Sequence, residues 1–158
     1  MKRLLLASLL CMPVMLSAGE NPAAPVQAVG LQRHTSPLPV SETASALRAQ
    51  LESRGITIFA LIDHAAAAEK AGLTMPPTQV LVFGNPRGGT PLMQAYPDLA
   101  LDLPVRVLIR QNTEGHTEVL WRDAGAQAAA QGLPADALTG LQALDKLLRS
   151  MLQQIAGK

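Results

Sequence analysis

The sequence predicts an α+β domain of two layers, a mixed β-sheet covered by helices on one face. Three observations carry that prediction. Two short, β-rich apolar runs, Ile56–Ile62 and Thr78–Phe83, are separated by 15 residues that include an alanine-rich stretch. Two runs of alternating character, Pro104–Arg110 and His116–Arg122, flank Asn112-Thr113-Glu114-Gly115, and a short glycine-containing loop between such runs reads as an antiparallel hairpin. Finally, Asp136 to Ile155 carries Leu138, Leu141, Leu144, Leu148, Leu152 and Ile155 on one broad apolar stripe, the pattern of a long C-terminal helix lying on a sheet.

Taken in order, Val26–Arg33 has strand character, weakened by Gly30, before Pro37 and Pro39 break the chain. Val40, Ala44, Leu47 and Leu51 then recur at helical spacing, Gly55 stands where a C-terminal cap belongs, and Arg48 and Arg54 sit near the helix's negative end. Ile56–Ile62 reads as a buried strand, and Asp63 follows as the cap of a short helix, Ala65–Ala71, closed by Gly72. Pro76 and Pro77 stop that helix, and Thr78–Phe83 reads as a second buried strand. A connection of this length containing a helix suits a right-handed βαβ crossover, which would make the two strands parallel. A loop at Gly84–Gly89 and a brief helical turn at Thr90–Tyr96 lead to the hairpin. In its first strand Val105, Val107 and Ile109 alternate with Arg106, Leu108 and Arg110, so one face is wetter than the other.

The N-terminus reads as an address. Lys2 and Arg3 precede an apolar run from Leu4 to Leu16 and the small residues Ser17-Ala18-Gly19, the plan of a secretory signal. The apolar run is shorter than the roughly 20 residues a spanning helix needs, and Pro13 interrupts it. The expected organisation is a signal at residues 1–19, a Pro/Ala linker at 20–25 and one domain at 26–158, located in the periplasm. Loss of Lys2 and Arg3 takes the formal charge from +1 to −1. With that balance and only Phe59, Phe83, Tyr96 and Trp121 as aromatics, nucleic-acid binding is not expected. Cys11 leaves with the signal, so the mature chain is cysteine-free and has no disulfide or thiolate chemistry.

Parallel strands end at the same sheet edge, and open α/β sheets bind ligands in such crevices. On that reading Asp63 and His64 meet Asn85, Arg87, Gly88, Gly89 and Thr90, with Asp102 approaching from the apolar stretch Leu101–Leu103. His64 could act there as a metal ligand or general base, or be a hydrogen-bonded structural residue. Asp63 also fits a plain cap, and the Asn85 loop a plain turn whose glycines hold unusual backbone angles. The loop lacks the Gly-Lys-Ser/Thr ending of a P-loop, and no His-x-x-x-His or Gly-x-Ser-x-Gly pattern occurs.

The motifs Ile62-Asp63-His64-Ala65, Pro77-Thr78, Phe83-Gly84-Asn85-Pro86-Arg87-Gly88-Gly89-Thr90-Pro91-Leu92-Met93 and Leu101-Asp102-Leu103-Pro104, in that order, closely resemble the domain-of-unknown-function family 302. The resemblance covers roughly Val40 to Asp123. It implies a compact two-layer α+β fold and no particular activity. This chain departs from the family pattern at Met75-Pro76, where relatives carry Leu-Arg, and at Gln131, near a position where they carry His. The first removes any role of that arginine, and the second weighs against a multi-histidine metal site.

The function this supports is a non-enzymatic periplasmic domain that binds a small ligand or a partner protein, a second copy of itself included, at the Asp63-His64 and Asn85–Thr90 edge. No cofactor and no metal are expected. The alternative is a hydrolase-type or metal-dependent enzyme using His64 with Asp63, Asn85 or Asp102.

Overall fold

The computed structural model describes residues 30–157; the expected signal at 1–19, the linker at 20–25 and the start of the first strand lie outside them. Within that range the order is β1 (Leu31–Ser36), α1 (Val40–Glu52), β2 (Thr57–Asp63), α2 (His64–Lys70), β3 (Thr78–Gly84), α3 (Pro86–Ala95), a 3-10 turn (Pro97–Leu101), β4 (Val105–Gln111), β5 (Thr117–Arg122), α4 (Ala124–Ala130) and α5 (Ala135–Ala156). The fold class is α+β, with the long C-terminal helix in place. No helix among the described residues is long and apolar enough to cross a membrane.

The five strands form one sheet in the order β1-β5-β4-β3-β2, and every neighbouring pair is antiparallel. The hairpin is β4–β5, with Val107 opposite Trp121 and Gln111 opposite Thr117. The expected parallel crossover is not there, so the sheet is not mixed: Thr57 faces Gly84 and Asp63 faces Gln79 across β2 and β3. Length explains the difference. Seven residues of β2 extend about 23 Å, whereas the seven of α2 rise only about 10 Å. The helical part of the connection thus covers less than half of the strand, and the chain turns over at the same end, with Gln79 beside Asp63.

Periodicity of two divides the sheet into faces. Leu81, Phe83, Val105, Val107, Ile109, Val119 and Trp121 point to one face and are buried under α1 and α5. Val40, Ala44, Leu47 and Leu51 supply the buried stripe of α1; Leu138, Leu141, Leu148, Met151, Leu152 and Ile155 supply that of α5. The other face, carrying Arg106 and Arg122 among others, is wetter, as the alternation in β4 implies. There Glu118 accepts from Arg33, Arg110 and Asn112, tying three strands together. Burial pushes the Glu118 carboxyl up, but those three donors outweigh it and hold it below its usual range.

Three further elements differ from expectation. β2 is the edge strand and not a buried one: Phe59, at a bulge between Ile58 and Ala60, is 54% exposed, and Leu61 and Ile62 are exposed as well. The Gly84–Gly89 loop is instead the start of a helix. Asn85 caps it and Pro86 occupies the first helical position, where its fixed φ and missing N–H cost nothing. Gly88 and Gly89 therefore do not adopt positive φ. The pattern reading also passed over α4, which Asp123 caps and Gly132 closes at φ +81°.

Inside the core, one polar cluster joins α5 to the sheet. Asp145, buried on the α5 stripe, accepts from the Trp121 indole N–H at 2.6 Å and from Arg149 Nε at 2.8 Å. The Arg149 guanidinium lies 5.5 Å from the Trp121 ring and reaches Asp123, the α4 cap, at 3.9 Å.

Candidate functional site

The antiparallel pairing of β2 and β3 separates the expected site residues. Asp63 and His64 lie at one end of the sheet, Asn85 at the other, about 20 Å away by strand rise. The proposed meeting of the two segments at one edge is thus corrected, because strand direction decides which ends are neighbours.

Asp63 is a structural cap. Its Oδ1 accepts from the Ala66 N–H and its Oδ2 from Gln79 Nε2, both at 2.9 Å. The Ala66 hydrogen bond foremost, and then Gln79, hold its carboxyl below the usual carboxylate range. His64 is exposed in the first turn of α2 and makes no side-chain hydrogen bond among the described residues. A carboxyl with a depressed folded-state pKa adds stability above its unfolded value, near pH 4, and that contribution is lost as pH falls through the folded value. Asp63→Asn keeps a good cap but cannot titrate. Thermal melts from neutral pH downward should show a flatter acid limb for the variant, Glu118 accounting for part of what remains. An acid limb identical to the wild type would contradict this assignment.

Asn85 organises the opposite end. Its Oδ1 accepts from the Arg87 N–H at 3.0 Å, and its carbonyl accepts from the Gly88 and Gly89 N–H groups at 3.1 and 2.8 Å. The first-turn donors are thereby satisfied within the chain. Arg87 and Thr90 are exposed and do not line the cleft described next.

Beside Asn85 opens a cleft of about 460 Å³, walled by α3, α5, the β2 bulge and the segment entering β4. That volume falls in the roughly 300–1,000 Å³ range of small-molecule sites. Leu92 and Met93 line it from α3, Leu144 and Leu147 from α5, Phe59 from β2 and Leu103 from the β4 approach. Gly84 sits between two of these walls, where a Cβ would make ordinary contact with the Phe59 ring at 3.4 Å and with Pro104 at 3.5 Å. Of the expected residues, Asn85, Gly88 and Gly89 line this cleft.

Pattern reading missed Arg54, Phe59, Gly140 and Leu144, all cleft-lining. One signal was available. Gly140 stands inside a 22-residue helix, where glycine costs about 1 kcal/mol relative to alanine. A Cβ added at Gly140 would meet nothing within 4 Å, so close packing does not require the glycine.

Asp102 goes elsewhere. Its carboxylate accepts from the amides of Gln127 and Gln131, joining the β4 approach to α4. It lines a second cavity, of about 360 Å³, with Arg106 and Arg122. No group of three or more His, Cys, Asp or Glu side chains that could hold a metal occurs among the described residues. Asp63 and His64 therefore stand together at one end of the sheet, Asn85 lies at the other, and Asp102 is engaged with Gln127 and Gln131, so the four do not form one site.

Fold and cleft together define a small α+β domain built around an apolar recess. Residues 32–155 match the family described as Domain of unknown function DUF302, and the chain belongs to that family. The crystal structure of an uncharacterized conserved DUF302 protein from Bacillus stearothermophilus shares the fold, with a TM-score of 0.69 at 18% identity, over 81% of this chain and 99% of that one. The chain is also 39% identical over 99 residues, 61% of its length, to the fluoride-specific ion channel FluC 1 of Brucella suis, covering 39% of the channel. The Brucella abortus FluC 1 matches at the same identity, with 37% of the channel covered. The chain thus spans well under half the length of these curated relatives.

Proposed function

We propose that this chain is an exported, non-catalytic domain that binds a small, mainly apolar molecule in the cleft beside Asn85. The supporting observation is Gly140: a helix-weakening residue on the cleft wall with empty space where its side chain would be. The cleft replaces the divided edge as the site, and it keeps Asn85, Gly88 and Gly89 from the original set. Export rests on the pattern of residues 1–19. The periplasmic form is expected to begin at Gly19 or Glu20 by mass spectrometry, and a form retaining Met1–Leu16 would count against it. No channel activity is carried over from the FluC proteins: the shared stretch is a minor part of each, and we read it as a domain that accompanies the channel.

Substitution at Gly140 tests the site. Gly140→Ala should raise stability by about 0.5–1 kcal/mol through helix propensity alone. Gly140→Phe should fold equally well and fill the cleft. A neutral apolar fluorophore such as N-phenylnaphthylamine is expected to bind the wild type and the alanine variant, and to lose at least about tenfold in affinity for the phenylalanine variant. Equal binding to all three would refute the assignment.

A further inference from the structure

Resting on that reading of the cleft, we infer that its natural occupant is an amphipathic molecule, an apolar body bearing an oxyanion such as a carboxylate, and that Arg54 and Asn85 receive the oxyanion. Among the cleft-lining residues only Arg54 and Asn85 have polar side chains; the rest are glycine, alanine, proline and larger apolar residues. The two stand at the same end of the sheet, because Thr57, just beyond Arg54 in the chain, pairs with Gly84, the neighbour of Asn85.

Arg54 presents only hydrogen-bond donors, and Asn85 presents a free amide NH2 beside an oxygen already engaged in the α3 cap. Asn85 has committed its Oδ1 to the α3 cap, which turns its amide NH2 outward as a donor. That NH2 makes no hydrogen bond among the described residues. Arg54 spends Nη1 on the Gln50 carbonyl at 2.8 Å, leaving further N–H groups of the guanidinium fork. No carboxylate among the described residues lies within ion-pair distance of Arg54.

Both residues are exposed, so a neutral apolar ligand gains nothing from their donors and loses wherever it takes them from water. A cationic ligand would be repelled. An oxyanion accepts from both, and the planar guanidinium suits a carboxylate's two oxygens. The apolar walls hold the body of the molecule and the two donors fix its direction.

Displacement of N-phenylnaphthylamine from the mature chain at pH 7, below micelle-forming concentrations, separates the possibilities. Decanoate should displace the probe at a concentration at least about tenfold lower than decanol, matching the strength of charge-assisted hydrogen bonds, and decyltrimethylammonium should be the weakest. Arg54→Gln should erase the advantage of decanoate over decanol. Gly140→Phe should weaken all three together. Equal potency of decanoate and decanol on the wild type would overturn the head-group assignment while leaving the cleft intact, as would an advantage that survives Arg54→Gln. Failure of the probe to bind the wild type, or full binding to Gly140→Phe, would overturn the cleft and this inference with it.

Discussion

Phe83→Ala is expected to destabilise the domain by about 3–5 kcal/mol, the upper range for removing a buried aromatic side chain. Phe83 is fully buried in β3, an interior strand, facing the helical layer between Ile58 of β2 and Val105 of β4. Strands hold it on both sides and α1 packs over β3. Neighbours fixed in this way cannot collapse far into the space left behind, so most of the lost packing is not recovered. With domains typically stable by only about 5–15 kcal/mol, the variant should keep at most a narrow margin. A denaturant midpoint shifted down with an unchanged slope is the expected result. A loss below about 1 kcal/mol would mean that Phe83 is not a keystone of this core.

Asp145→Ala should cost about 2–4 kcal/mol. The substitution leaves the Trp121 indole N–H, 4% exposed as a residue, without its acceptor, and an unsatisfied buried donor alone costs about 1–3 kcal/mol. It also frees Arg149 from its partner beneath the α4 cap. Asp145→Asn keeps an acceptor for the indole and should lose less. The decisive variant is the double substitution. Trp121→Phe removes the orphaned donor, so in the Asp145→Ala background it should cost much less than it does alone. Strict additivity of the two would contradict the coupling. Trp121 is the chain's one tryptophan, so its emission reports directly on this site in every variant that retains it.

How far the sequence could be read depended on whether a feature was local. The stripes of α1 and α5, the β4–β5 hairpin and the Asp63 cap are written in spacings of a few residues, and each stands where those spacings place it. The direction of β3 is not local. The 15 residues after Ile62 permit either a crossover or a turn, and only the shortness of α2 distinguishes them. That one reversal moved Asp63 and His64 to the far end of the sheet and divided the expected site. The Gly88-Gly89 pair suggested a loop, but Asn85 and Pro86 are stronger signals of a helix start, and they prevailed. Asp123, the alanines behind it and Gly132 repeat the cap-helix-glycine pattern of α2, so α4 was readable. Asp145 was visible too, as an acid one turn after Leu141 and just short of Leu148. The cleft was legible only in part, since Arg54, Phe59 and Gly140 come from three elements that no sequence spacing relates.

The central claim is that the cleft between α3 and α5 is the binding site, and amide shift mapping by NMR with N-phenylnaphthylamine tests it most directly. Perturbations are predicted to concentrate at Gly84–Met93 and at Gly140–Leu147, with Asp63, His64 and the Arg106–Arg122 face unmoved. Perturbations centred on Asp63 and His64, or on the second cavity beside Asp102, would contradict it.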